Sequence, residues 1–424
     1  MMQISKFQTA FVSKNCMLET SEIKEKYILA AVFDEDEDAA QASLCELAEL
    51  SDTAGAQAVC KVLQHLEHPN PSTYIGKGKA EEIKTLIRHF EADGIICDDE
   101  LTPVQIRNLS DILDTKVIDR TILILDIFAA HATTAEGKLQ VEMAQLKYRS
   151  SHLAGLGKSL SRLGGGIGTR GPGETKLESD RRTIRRRLGV LGTEIEKLGE
   201  VRKTGRKKRL NSNIPVAAIV GYTNAGKSTL LNTLTNADIL EADRLFATLD
   251  PTTRLCCLPS GQKILLTDTV GFINKLPHNL IDAFRSTLEE AKYADILIHV
   301  VDASDPNSDL HMKVVYETLQ ELDITGKPVL TVFNKTDLLK SEEILKDTTA
   351  DFCVRTSMRT GYGKAAMLEK IEEILLAGQR YIDIVLPYSE AGRLDIIRNT
   401  GRLISEEYLP EGIRVCAYVS QDQW

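Results

Sequence analysis

The chain has 424 residues, 27% of them charged, and its 52 Lys and Arg against 61 Asp and Glu leave a formal net charge of −9. That length implies two to four domains, each able to bury its own core. No apolar run approaches the roughly 18 residues of a membrane helix, and residues 1–6 lack the charged-then-apolar pattern of a signal peptide, so no membrane span is expected.

Residues 1–133 alternate strand-like stretches (27–33, 57–63, 94–97 and 116–119) with helix-like ones (36–51, 79–90 and 103–113). The alternation predicts a small α/β domain with a mostly parallel sheet. Residues 121–130 are the most apolar helix candidate, interrupted by Asp126 and too short to cross a bilayer. Gly76-Lys77-Gly78-Lys79 is rich in Gly and Lys at a helix start but too short for a phosphate loop, so a plain helix start is favoured over a second nucleotide site. The eight cysteines of the chain show no C-x-x-C spacing, and Cys256 and Cys257 are adjacent, which suits neither a disulfide framework nor a zinc site. Reduced thiols in a cytoplasmic protein are expected.

Residues 134–163 have helical composition up to a glycine tract at 164–173, and a second long helix is expected over 175–202. The segment 134–211 therefore reads as a helical hairpin with a glycine loop at its turn. Residues 137–212 carry 19 Lys and Arg against 7 Asp and Glu, a balance of +12, so the remainder carries −21. An acidic chain with one basic element points to a polyanion met at a defined surface, with a solvated helix face as the alternative. Glycines let a backbone approach RNA closely, and neighbouring arginines supply phosphate contacts. Arg170, Arg181, Arg182, Arg185, Arg186 and Arg187 are the candidate RNA-binding residues; a flexible linker is the other reading of the tract.

Residues 212–378 carry the sharpest signals. The apolar, β-prone run 215–220 leads into Gly221-Tyr222-Thr223-Asn224-Ala225-Gly226-Lys227-Ser228-Thr229, which fits G-x-x-x-x-G-K-[ST]. In such a loop successive N–H groups face phosphates, and the following helix aims its positive end at the same anion. Lys227 would reach the β- and γ-phosphates and Ser228 would be a Mg²⁺ ligand. Phe246-Ala247-Thr248-Leu249-Asp250 offers a hydroxyl for a segment that closes on the metal when a γ-phosphate is present. Asp268-Thr269-Val270-Gly271 ends a further apolar strand: Asp268 could hold Mg²⁺ through water, and the Gly271 N–H could sense the γ-phosphate. Asn334-Lys335-Thr336-Asp337 follows another apolar strand, 328–333. A carboxylate at Asp337 can accept from the N1–H and N2–H₂ edge of guanine, a donor pair that adenine lacks. Ser357-Met358-Arg359 could add a main-chain N–H for the guanine oxygen. Together these predict a GTP and GDP site in a doubly wound sheet, with Lys227, Thr248 and Gly271 as the catalytic candidates. The last segment, 379–424, has two alternating strands (381–386 and 413–419) around a helix near 394–399 and reads as a small α+β domain.

Residues 71–79, 164–174, 246–250 and 268–272 together resemble the HflX family of ribosome-associated GTPases, from about residue 25 to the C-terminus. The resemblance implies GTP hydrolysis coupled to the large ribosomal subunit and its rRNA, with the N-terminal and helical domains reaching towards the peptidyl-transferase region. In bacterial members this is linked to splitting of stalled or idle ribosomes. By the same resemblance Ser228 and Thr248 are the Mg²⁺ ligands, and Asn334, Lys335 and Asp337 recognise guanine. A GTP-gated assembly or anti-association factor, or a signalling GTPase acting on protein partners, remains an alternative. The chain is expected to act as a monomer. Phe272 stands where Ras-type GTPases carry a water-orienting glutamine, so hydrolysis should be slow alone and stimulated by ribosomes. Asn224 occupies the loop position where some glutamine-lacking GTPases help bind K⁺.

Overall fold

The computed structural model describes residues 24–160, 172–210, 214–235, 245–246, 252–275, 288–339, 345–377 and 379–420. The N-terminal part runs β1 (Lys26–Phe33), α1 (Glu37–Thr53), β2 (Gln57–His65), α2 (Lys77–Phe90), β3 (Gly94–Cys97), α3 (Pro103–Leu113) and β4 (Lys116–Asp119). Its sheet has the order β2-β1-β3-β4, and every pair is parallel. The helix starts are written in the sequence. Asp36 accepts the Ala39 N–H at the start of α1, and Thr102 with Gln105 forms a reciprocal capping box ahead of Pro103.

Asp119 caps α4 (Arg120–His131), accepting the Ile122 N–H at 2.9 Å, and α5 (Ala135–Leu160) and α6 (Pro172–Leu210) follow. Arg187 pairs with Glu142 and Arg202 with Glu136, which fixes α5 and α6 as antiparallel. The second helix reaches Leu210, eight residues past its expected end at 202, because the basic run 206–209 contains no helix breaker. Among the described residues no helix is long and apolar enough to cross a membrane.

The third part holds β5 (Val216–Gly221), α7 (Lys227–Thr235), β6 (Thr252–Cys257), β7 (Lys263–Asp268), β8 (Ile296–Asp302), α8 (Ser308–Glu321), β9 (Val329–Asn334), β10 (Phe352–Arg355) and α9 (Lys364–Ala377). The sheet order is β10-β9-β8-β5-β7-β6, parallel throughout except for β6. Its central strands are near-continuous apolar runs, as a sheet covered on both faces requires. The doubly wound fold expected from the sequence is the one observed.

The C-terminal part differs from expectation in one element. Besides β11 (Gln379–Leu386), α10 (Gly392–Thr400) and β13 (Gly412–Ser420) there is a third strand, β12 (Arg402–Leu409), and the antiparallel sheet runs β11-β13-β12. β12 is an edge strand with a register shift between Leu403 and Ser405 and with 404–408 exposed, so it shows no alternation to read.

One apolar core is continuous across the first three parts. It joins Leu44, Leu47, Phe128 and Tyr148 to Phe246, Val270 and Phe272. Phe128 and Phe246 meet edge to face, with centroids 4.7 Å apart. Each fully buried aromatic side chain of this kind contributes about 1.5–3 kcal/mol.

Candidate functional site

The motif segments lie at the carboxyl ends of β5, β7 and β9, the edge where open α/β sheets place their ligands. Gly226 has φ +95°, and a Cβ there would stand 2.3 Å from Asn334 Nδ2, so only glycine lets β9 approach the loop. Asn224 is exposed in the left-handed region at φ +59° and makes no hydrogen bond among the described residues. Lys227 begins α7 with only 7% of its surface exposed, and its Nζ donates to the Tyr222 carbonyl at 2.6 Å. Burial lowers the Lys227 pKa to about 8, partly opposed by the nearby Asp268 carboxylate. Ser228 Oγ donates to Asp268 Oδ2 at 2.8 Å, and Asp268 is fully buried at the end of β7. Thr229 follows in the first turn of α7, where its carbonyl accepts the Thr233 hydroxyl at 2.8 Å.

The third motif packs directly on the loop. Thr269 Oγ1 donates to the Ile219 carbonyl at 2.7 Å, and Val270 is in the core. A Cβ on Gly271 would lie 2.9 Å from both Lys227 Nζ and Thr223 Cα. Gly271 is thus pressed against the lysine and the loop backbone. The Thr223 N–H donates to the Phe272 carbonyl at 2.8 Å and the Phe272 N–H to the Gly221 carbonyl at 3.1 Å, a zipper between the two motifs. The Phe272 ring is buried in the shared core, and a phenyl ring has no polar group with which to orient water. Phe246 holds φ +57°, an unfavourable conformation for an aromatic residue, secured by its packing on Phe128. Ala247, Thr248, Leu249 and Asp250 lie outside the described residues, as do the tract 164–171 and Arg170.

At the base end Asn334 bridges two segments. Its Nδ2 donates to the Ala225 carbonyl at 3.0 Å, and its Oδ1 accepts the Met358 N–H at 3.0 Å. That N–H, expected to face the guanine oxygen, is therefore engaged by Asn334, because a buried amide oxygen needs a donor. The Ser357 N–H donates to the Tyr362 carbonyl, and Arg359 is exposed. Lys335 sits at φ +60° with Nζ 2.6 Å from Asp302, Thr336 donates through Oγ1 to the Thr356 carbonyl at 2.9 Å, and Asp337 is exposed on the turn Thr336–Leu338. A cavity of about 320 Å³ opens beside the loop, walled by Glu46 and Glu49 on α1 and by Asn224, Asp302 and His311.

Away from this edge, Arg182, Arg185 and Arg186 are exposed on α6, and Arg181 donates to the Leu153 carbonyl at 3.3 Å. Arg187, also exposed, forms a bidentate pair with Glu142 at 2.7 and 2.8 Å. Sequence reasoning missed the contribution of the first part of the chain. Glu46, Asp98, Asp99 and Arg120 reach the Tyr222 hydroxyl, Asn274 and Lys275. The one local signal was the Asp98-Asp99 pair just after a parallel strand, at the edge of the sheet where sites form.

Comparison with known proteins gives a consistent assignment along the chain. Residues 41–129 match the family model described as GTP-binding GTPase N-terminal, 131–209 that of GTP-binding GTPase Middle Region, and 216–335 that of 50S ribosome-binding GTPase. The protein named GTPase HflX from Lacrimispora saccharolytica is 58% identical over 406 residues, covering 96% of each chain. Its namesake from Caldanaerobacter subterraneus is 48% identical over 406 residues, covering 96% of this chain and 94% of the relative. The Escherichia coli namesake is 39% identical over 399 residues and 93% of each.

Proposed function

Because this chain belongs to the HflX family of GTPases, we propose that it hydrolyses GTP on the large ribosomal subunit and uses that cycle to dissociate or recycle ribosomes. The observation that carries the nucleotide half is Asn334, which ties the phosphate loop at Ala225 to the Met358 segment and so joins the phosphate and base ends in one site. Lys227 and the loop N–H groups hold the β- and γ-phosphates. Asp337 reads the guanine edge, and the Lys335 stem lies over the ring. Ser228 and Asp268, 2.8 Å apart at the ends of α7 and β7, fit a Mg²⁺ ion bound by the hydroxyl and, through water, by the carboxylate, with Thr248 as the further ligand. Such an ion would neutralise charge on the β- and γ-phosphates. Water attacks the γ-phosphorus, the bond to the β-phosphate oxygen breaks, and GDP and phosphate leave.

With Phe272 committed to the core, this chain holds no water-orienting side chain at that position, so turnover by the protein alone is slow. Asn224 is exposed in the loop and would help hold K⁺ beside the phosphates, where a cation offsets charge developing in the transition state. Hydrolysis should then be several-fold faster in K⁺ than in Na⁺ at equal ionic strength, with and without ribosomes. Equal rates in both salts, and no loss in K⁺ on Asn224→Ala, would leave Asn224 a structural residue.

The ribosomal half rests on α6. Arg182, Arg185 and Arg186 present a basic face, while Arg187 staples the hairpin through Glu142. Reversing the three exposed arginines to Glu should weaken cosedimentation with large subunits and lower its salt slope by about one unit per lost phosphate contact. GTP binding should be unaffected. Persistence of the same slope would make the helix a solvated face. A shift of intact ribosomes to free subunits that requires GTP distinguishes active splitting from an assembly or anti-association role.

A further inference from the structure

The first part of the chain reaches the phosphate loop and the third motif through a connected set of hydrogen bonds that runs from the buried Arg120 outward to the partly exposed Lys275. Arg120, with 1% of its side chain exposed, donates from Nη1 to Asp98 Oδ1 at 2.7 Å and from Nη2 to Glu46 Oε2 at 2.6 Å. The same Nη2 donates to the Asn274 carbonyl at 3.1 Å. Lys275 Nζ donates to Asp98 Oδ2 at 2.6 Å and to Asp99 Oδ1 at 2.8 Å. The Tyr222 hydroxyl donates to Glu46 Oε1 at 2.5 Å and accepts the Asn274 N–H at 2.7 Å. Behind this layer, Ser43 donates to Asp98 at 2.7 Å and Tyr74 to Asp99 at 2.6 Å. Tyr74 belongs to the segment 71–79, whose place in the molecule is thereby explained.

Tyr222 is the pivot. Its carbonyl accepts the Lys227 ammonium, its backbone pairs with Phe272, and its ring stacks on His311 with centroids 3.7 Å apart. Burial and the Glu46 carboxylate push its phenol pKa up, so the hydroxyl stays a donor to Glu46. Asn274 lies three residues beyond Gly271. The phosphate loop and the third motif, already zipped through Tyr222 and Phe272, are thus braced from outside by side chains of the first domain, with Glu46 on the Tyr222 hydroxyl and Arg120 on the Asn274 carbonyl.

We propose that Glu46 and Arg120 are positioning residues for GTP hydrolysis, acting through the Tyr222 hydroxyl and the Asn274 backbone to hold Gly271 against Lys227. Neither belongs to the motifs that carry the nucleotide chemistry. Their effect is geometric: a wall displaced by about 1 Å costs up to a hundredfold in rate. This role rests on the reading of the site as one that hydrolyses GTP, and the test separates the two.

In the full chain, Tyr222→Phe keeps the ring on His311 and removes only the hydroxyl, while Glu46→Ala removes its partner. Single-turnover hydrolysis should fall about tenfold in each, with GDP affinity within about twofold of the parent. The double variant should be no slower than either single one, because both break the same link. Glu46→Gln, which keeps one acceptor oxygen, should recover part of the rate. Unchanged or faster hydrolysis in Tyr222→Phe, or losses that multiply in the double variant, would overturn the assignment. Hydrogen exchange of GDP-bound protein tests the geometry without turnover: amides 272–275 should exchange faster in both single variants while those of β8 stay protected. Unaltered exchange at 272–275 would overturn the positioning role even if GTP were never hydrolysed. Faster exchange at 272–275 in the variants, with a parent that shows no turnover, would instead sustain the positioning link and fault the reading of the reaction.

Discussion

Lys227→Ala should reduce GTP turnover by about a hundred- to a thousandfold, because it removes the buried ammonium that we propose faces the phosphates. The ring of backbone N–H groups would remain, so the fold should persist and some nucleotide binding with it. Single-turnover hydrolysis by the variant within about tenfold of the parent would place the phosphates elsewhere. The same lysine sets a pH dependence. Burial lowers its pKa to about 8 in the free protein, whereas a neighbouring polyphosphate raises it again. Nucleotide binding therefore takes up a proton above that pH. GTP affinity should be flat below about pH 8 and fall with a slope approaching tenfold per unit beyond it. Stability of the free protein carries the opposite sign, since a depressed lysine pKa penalises the fold below about 8 and that penalty lifts as pH rises towards 10.5.

Asp337→Asn should lower GTP affinity by about two to four orders of magnitude and move preference to xanthosine triphosphate. The carboxylate offers two acceptors to the N1–H and N2–H₂ donors of guanine. An asparagine presents one acceptor and one NH₂, which opposes the guanine amino group but can donate to the O2 that replaces it in xanthine. Asp337 is exposed on its turn, so the substitution should leave the fold intact. Competition between the two triphosphates for a fluorescent GDP analogue measures the switch; retained preference for GTP would show that Asp337 does not read the base.

The parts of the site that were legible in the sequence are those in which backbone geometry dictates the residue. Gly226 must leave room for Asn334, Gly271 must leave room for Lys227, and both stand at fixed offsets from strands whose apolar runs announce themselves. The strands and helices of the first part were legible for the same reason, through short apolar periods between turn residues. The clamp on Tyr222 was not, because it is built of single polar residues, Glu46 and Tyr222 standing 176 positions apart, and no local spacing links them. The Arg187–Glu142 pair was illegible for a related reason: in sequence Arg187 is one more positive charge in a basic run, and only the antiparallel hairpin brings Glu142 to it. β12 escaped because an exposed edge strand has no buried face to impose a period.

The apolar seam around Phe128 and Phe246 also decides where this chain can be divided. A cut near residue 212 would isolate the sheet that carries the nucleotide motifs, but it would also strip the cover from Phe246, Val270 and Phe272. Such a fragment would present a sticky surface to its own copies. Its behaviour would report on an exposed wound as much as on the chemistry of the loop. The nucleotide domain here is a shape completed by its neighbour, and the two bury one core between them.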